Sequence, residues 1–226
     1  MKKLLTATII LITLIVTFSS CSKDDNLESK DIKRYNVESG IIKYVTTISG
    51  TVASGTVNGS GTSQLYFENW GAKELKNEQS TTTTVVIIPI SNQKITDVST
   101  THNTYKIDNE MIYTVDYDTK TIFTKSDPLI ELMRLNDYDA VEAGKKMLIS
   151  MGGTQSENEE FKGYDCEIWT ALGSKQWIYK GITLKIVSAI GGIITTQEAT
   201  DIKFDVSVNE SYFKLPDYTH KNIDEL

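Results

Sequence analysis

The sequence predicts an α+β fold: one large, curved antiparallel sheet with a short helical segment on its concave face. Three observations carry this. Short β-branched and aromatic stretches, separated by Gly, Asn and Asp, recur through most of the chain. A helical pattern interrupts them once, between Pro128 and Gly153. Strands before and after that one interruption read as α+β.

The chain opens with Lys2 and Lys3, then an apolar run from Leu4 to Phe18 and the small pair Ser19-Ser20. That order is a secretory signal, expected over residues 1–20. The run is shorter than the ~20 apolar residues a comfortable membrane span needs. Residues 21–39 are expected to be a cysteine and a flexible tether, because Lys23, Asp24, Asp25, Glu28, Lys30, Asp31, Lys33 and Arg34 leave little apolar surface to bury. A single domain is expected over residues 40–217, with a polar tail at 218–226.

Within the domain, Ile41 to Ile48 reads as a strand bounded by Gly40 and Gly50. Thr51 to Ser63, rich in Gly, Ser and Thr, reads as a long hairpin connection or a mobile loop. Gln64 to Glu68 is a strand ended by Asn69-Trp70-Gly71. Thr81 to Ile90 is strand-like, with Pro89 confining it to an edge or a strand end. From Thr104 to Thr124 three short strands form a meander with polar turns.

Pro128 opens a short helix through Arg134. A second starts at Asp139, with Glu142 three residues on as a capping box, and ends at Gly152-Gly153. Its apolar face carries Ala140, Ala143, Met147, Leu148 and Met151, and Gly144 is expected to allow close approach to a neighbour. A loop containing Glu157, Glu159 and Glu160 follows. In Gly163 to Trp169, Tyr164, Cys166 and Ile168 share one face; Asp165, Glu167 and Trp169 share the other, expected to be the solvated one. Further strands hold Trp177 and Tyr179, then Ile182, Leu184 and Ile186. A hairpin at Gly191-Gly192 leads to a long strand region up to Val206, and the chain closes on Tyr212-Phe213-Lys214-Leu215-Pro216.

Lys+Arg number 23 and Asp+Glu 30, a net charge of −7. Removing residues 1–20 takes Lys2 and Lys3 and no acid, which moves the net charge to −9. So acidic a chain has no electrostatic footprint for nucleic acid. Once Cys21 is accounted for, Cys166 is left alone and no internal disulfide is possible. Cys166 alternates with Tyr164 and Ile168 and reads as a buried hydrophobe. His102 and His220 have no second ligand at metal spacing. Asp116 and Asp118 lack the glycine and terminal glutamate of a calcium loop and read as a hairpin turn. Neither a phosphate loop nor a Gly-x-Ser-x-Gly elbow is present, so neither an enzyme nor a cofactor is expected. Met133, Met147, Leu148 and Met151 are the candidate lining of an apolar ligand site, since flexible thioethers suit varied apolar ligands.

Phe18-Ser19-Ser20-Cys21 resembles the lipobox of bacterial lipoproteins, with Phe18 departing from the preferred leucine. The resemblance implies lipidation of Cys21 and attachment to a membrane through its acyl chains. Ser22-Lys23-Asp24-Asp25 is similar to a Bacteroidota-type lipoprotein export signal, which implies an outer-membrane lipoprotein on the periplasmic or the surface face. The meander, the central helices, Gly163 to Trp169, Lys180-Gly181-Ile182-Thr183-Leu184-Lys185 and the closing Tyr212 to Pro216 resemble the LolA/LolB family of lipoprotein carriers and receptors. That likeness implies an open barrel with a helical lid and a cavity for acyl chains or a lipoprotein; no functional residue of the family maps onto this chain. Two functions follow as expectations: an anchored module for an apolar ligand, or a non-enzymatic interaction subunit of an envelope or surface assembly with a fully packed core. The first needs a continuous cavity and the second an exposed apolar patch.

Overall fold

The computed structural model describes residues 32–52, 55–136 and 139–225. The expected signal segment, Cys21 with its lipobox and the tether as far as residue 31 lie outside them. The elements follow in the order β1 (Gly40–Val52), β2 (Gly55–Glu68), β3 (Lys73–Ile88), β4 (Gln93–Asp108), β5 (Met111–Asp116), β6 (Thr121–Ser126), α1 (Pro128–Asn136), α2 (Ala140–Ser150), β7 (Thr154–Phe161), β8 (Tyr164–Ala171), β9 (Ser174–Tyr179), β10 (Ile182–Ile190), β11 (Ile193–Phe204) and β12 (Thr219–Asn222). Among the described residues no helix is long and apolar enough to cross a membrane.

All twelve strands form one sheet in the order β12-β6-β5-β4-β3-β2-β1-β11-β10-β9-β8-β7. Every pairing is antiparallel except β12 on β6. The sheet has two free edges, β12 and β7, and is not closed. It is bent by bulges between Lys43 and Tyr44, between Thr183 and Lys185, and between Ser156 and Glu159. The bend is strong enough for β4, β5 and β6, near one edge, to face β8 and β9, near the other, across a single cavity. The helices cap that concave side. Asp127 accepts a hydrogen bond from the Leu129 N–H at 2.8 Å at the head of α1. Asp139 does the same for the Glu142 N–H at 2.7 Å, the N-cap that the Asp139–Glu142 spacing predicts.

Buried side chains form three clusters. The largest joins Ile42, Tyr44, Leu65 and Phe67 from β1 and β2 with Leu184, Ala199, Cys166 and Ile168. A second holds Ile32, Ala72, Ile130, Met133, Ala140 and Ala143 and fixes the helices to the body. The third lies on the opposite face, where Val208 and Phe213 of the C-terminal segment cover Leu75. There Tyr66 stacks on Tyr212 with centroids 4.4 Å apart.

Several expectations need correction. The tether does not extend to Ser39: Ile32 is 1 % exposed, and Arg34 and Val37 are buried. The Tyr35 N–H donates to the Trp70 carbonyl at 3.0 Å and the Asn36 N–H to the Lys180 carbonyl at 2.9 Å, so residues 34–38 are laced between two turns. Both turns need glycine. At Gly71 (φ +82°) a Cβ would stand 2.6 Å from the Tyr35 ring, and at Gly181 (φ +86°) 2.8 Å from the Arg34 carbonyl. Of the Gly/Ser/Thr stretch at 51–63, expected to be a connection or a loop, residues 51–52 end β1 and 55–63 make up most of β2, paired in register from Gly40↔Phe67 to Val52↔Gly55. The acidic stretch around Glu157 is strand β7, not a loop. The polar tail contains β12, held in addition by Asp224, which accepts from the Ser126 N–H at 2.7 Å.

Candidate functional site

The inward register of the strands builds the site. Ile107 on β4 stands opposite Ile112 on β5, and Ile112 opposite Lys125 on β6; Thr114 stands opposite Phe123. Because side chains alternate along a strand, these residues share one face. On the far wall Trp169 pairs with Gln176 and Glu167 with Ile178, again on one face. Between the walls, beneath α2, lies a cavity of about 640 Å³. Its surface is mainly apolar, formed by Ile107, Ile112, Phe123, Trp169 and Ile178 with Met147 and Leu148 of the helix. Such a volume lies within the ~300–1,000 Å³ usual for small-molecule sites.

Of the four candidate lining residues, Met147 and Leu148 border this cavity. Met133 does not; it is buried in the cluster between α1, α2 and Ile32. Met151, at the C-cap of α2, is also absent from the lining. Gly144 differs from its expectation too. A Cβ there would meet nothing within 4 Å, because the residue faces the void and not a neighbouring element. The Glu167–Trp169 face, expected to be solvated, is the cavity wall, and Trp169 is only 3 % exposed.

One end of the cavity is polar. The Arg34 guanidinium pairs with Asp127 at 2.5 Å and donates to the Asn109 carbonyl at 2.9 Å. Its Nε and Nη1 are buried and have no hydrogen-bond partner among the described residues. Beside it the Tyr35 hydroxyl donates to Glu74. Burial pushes the Glu74 carboxyl above the usual carboxylate range, against the Tyr35 hydrogen bond and the Arg34 charge, which pull it down. Burial, with Glu74 nearby, likewise raises the phenols of Tyr35, Tyr44 and Tyr105. Across the cavity Lys145 of α2 pairs with Glu167 at 2.7 Å, and Glu167 also accepts from the Trp169 indole at 3.2 Å.

The remaining reactive side chains lie elsewhere. Cys166 is fully buried in the largest core cluster, and burial, with Asp165 beside it, pushes its thiol up to about 11. His102 shares a hydrogen bond of 2.8 Å with the Asn77 side chain and stacks on Tyr117, while His220 is exposed on β12. Asp116 accepts from the Asp118 and Thr119 N–H groups at 2.9 Å, closing the β5–β6 hairpin. No group of three or more His, Cys, Asp or Glu is placed to hold a metal among the described residues.

Sequence reasoning missed Arg34, Asp127 and Lys125. A faint signal existed for Lys125, a cation in a period-2 row with Thr121 and the apolar Phe123. None existed for Arg34 and Asp127, which are 93 positions apart.

No family model and no curated protein matches the chain. Solved structures do. An uncharacterized conserved protein from Thermus thermophilus is similar at 10 % identity and a TM-score of 0.39, over 80 % of this chain and 90 % of that one. A DUF1329 family protein from Desulfovibrio piger is similar at 12 % identity and a TM-score of 0.28, over 79 % and 90 %. A candidate outer membrane lipoprotein-sorting protein domain from Vibrio parahaemolyticus is similar at 10 % and 0.27, over 80 % and 91 %. Likeness this distant carries no functional argument.

Proposed function

We propose that the protein is a non-enzymatic envelope lipoprotein, tethered through an acylated Cys21, that holds an apolar chain in the cavity under α2. The observation that carries this reading is the cavity itself: about 640 Å³ of mainly apolar space, roofed by Met147 and Leu148 and left unfilled at Gly144. A protein interior is normally packed to crystal density, and voids of this size are absent from a sealed core. Burying an acyl chain there contributes ~0.8 kcal/mol per CH₂, enough for a specific complex from a single chain. The alternative, an interaction subunit, is favoured by one observation. Where β3 turns into β4, Ile87 is 47 % exposed, Ile90 99 % and Ile95 49 %, apolar side chains with no cover at one hairpin tip. That reading gives the cavity no role, and the ligand reading accounts for it.

Gly144→Leu tests the proposal. Glycine inside a helix costs ~0.5–1 kcal/mol relative to alanine, so the variant is expected to melt at or above the wild-type temperature. Its new side chain projects into the cavity. A neutral naphthylamine probe that binds the Cys21→Ser chain is expected to lose at least tenfold in affinity on Gly144→Leu. Unchanged binding, or no binding by the parent chain, contradicts the reading.

A further inference from the structure

We infer that the occupant of the cavity is a single-chain anionic amphiphile, whose head group is received beside Lys125 and Arg34. This rests on the apolar-chain reading and adds a head-group specificity to it.

Charge does not balance within this half-open, mainly apolar space. The cavity is lined by three cations, Arg34, Lys125 and Lys145, and two carboxylates, Asp127 and Glu167. Both carboxylates are already engaged, Asp127 by Arg34 at 2.5 Å and Glu167 by Lys145 at 2.7 Å. Lys125 is left over, half-buried and without an ion pair among the described residues. It sits at the rim of the cavity between apolar neighbours: Ile112 stands opposite it on β5, and the partly exposed Ile223 lies beside it, since the Ile223 N–H donates to the Thr124 carbonyl at 2.8 Å. An ammonium against such walls is costly without an anion, and an anion placed there interacts more strongly than in water.

Arg34 adds to the same preference. Its one ion pair engages Nη2, while Nε and Nη1 are buried with no partner among the described residues. Unsatisfied buried donors carry a desolvation cost, and a negative charge arriving nearby offsets part of it. Glu74 competes little for this role. Its carboxyl is taken by the Tyr35 hydroxyl and is held toward its neutral form by burial. With the head at Lys125, the tail has the wall of Ile178 and Trp169 and the roof of Met147 and Leu148 to run along.

A carboxylate and a phosphate monoester share the required chemistry, and the test separates them. Dodecanoate, dodecyl phosphate and dodecanol compete for a neutral naphthylamine probe bound to the Cys21→Ser chain. At least one of the two anions is expected to bind tenfold or more tightly than the alcohol of the same length, and whichever is tighter names the head group. Lys125→Met is expected to erase that preference and Lys125→Arg to keep it. If the alcohol binds as tightly as both anions, or if Lys125→Met leaves the preference intact, the head-group assignment is overturned while the apolar-chain reading stands. If none of the three displaces the probe, both fall.

Discussion

A chain that begins at Gly40, where composition places the start of the domain, is expected not to fold. The truncation removes Ile32 and Val37 from the core, and fully burying such side chains contributes ~1.5–3 kcal/mol each. It also takes Arg34 from Asp127, which then stands buried at the head of α1 with no counter-ion, a loss of ~3–5 kcal/mol for a broken buried pair. Tyr35 goes as well, and with it the hydrogen bond to the buried Glu74 and the edge-on contact with Phe67 at 5.0 Å. The total rivals the ~5–15 kcal/mol that holds a typical domain together. Near-ultraviolet circular dichroism of the truncated chain should show no fixed aromatic environment. A cooperative melt at the wild-type temperature would mean that residues 32–39 are an attached strap and not part of the core.

Met147→Asp is expected to separate binding from folding. Met147 is 37 % exposed and borders the cavity, so an aspartate there stays hydrated while the cavity is empty. The domain should melt within a few degrees of the wild type. Once an apolar chain enters, the carboxylate is stripped of water without a partner, at a cost of several kcal/mol. Each ~1.4 kcal/mol is tenfold in affinity, so binding of a neutral chain should weaken about a hundredfold. An unfolded variant, together with a wild type that binds no apolar probe, would mean that α2 seals a packed core. The interaction-subunit reading would then stand alone.

The strand order is legible only where side chains carry the information. Period-2 rows such as Tyr164, Cys166 and Ile168, and turns such as Lys180-Gly181, mark strands and hairpins by packing and by backbone geometry. The stretches at 55–63 and 154–161 have few apolar side chains and read as loops. They are strands because their neighbours offer unpaired backbone groups, and a ladder needs no apolar side chain to form. Asp139 announces its helix through a local rule, since the cap and its target are three residues apart. Arg34 cannot be recognised the same way. Its charge argues for a solvated tether, and the carboxylate that neutralises it arrives from the head of α1. The cavity is least legible of all. The Met147 and Leu148 pattern is the same whether a helix covers a void or a filled core, and what decides is how far the sheet bends.

The central claim is that an apolar chain enters the space between the two walls. Trp169 reports on that space directly, because it lines the cavity, whereas Trp70 and Trp177 do not. Titrating the Cys21→Ser chain with a bromine-bearing dodecanol, whose heavy atom quenches indole fluorescence only at short range, should give saturable quenching at one equivalent. That quenching should be lost in Trp169→Phe. Quenching that never saturates, or that persists unchanged without Trp169, would contradict the account.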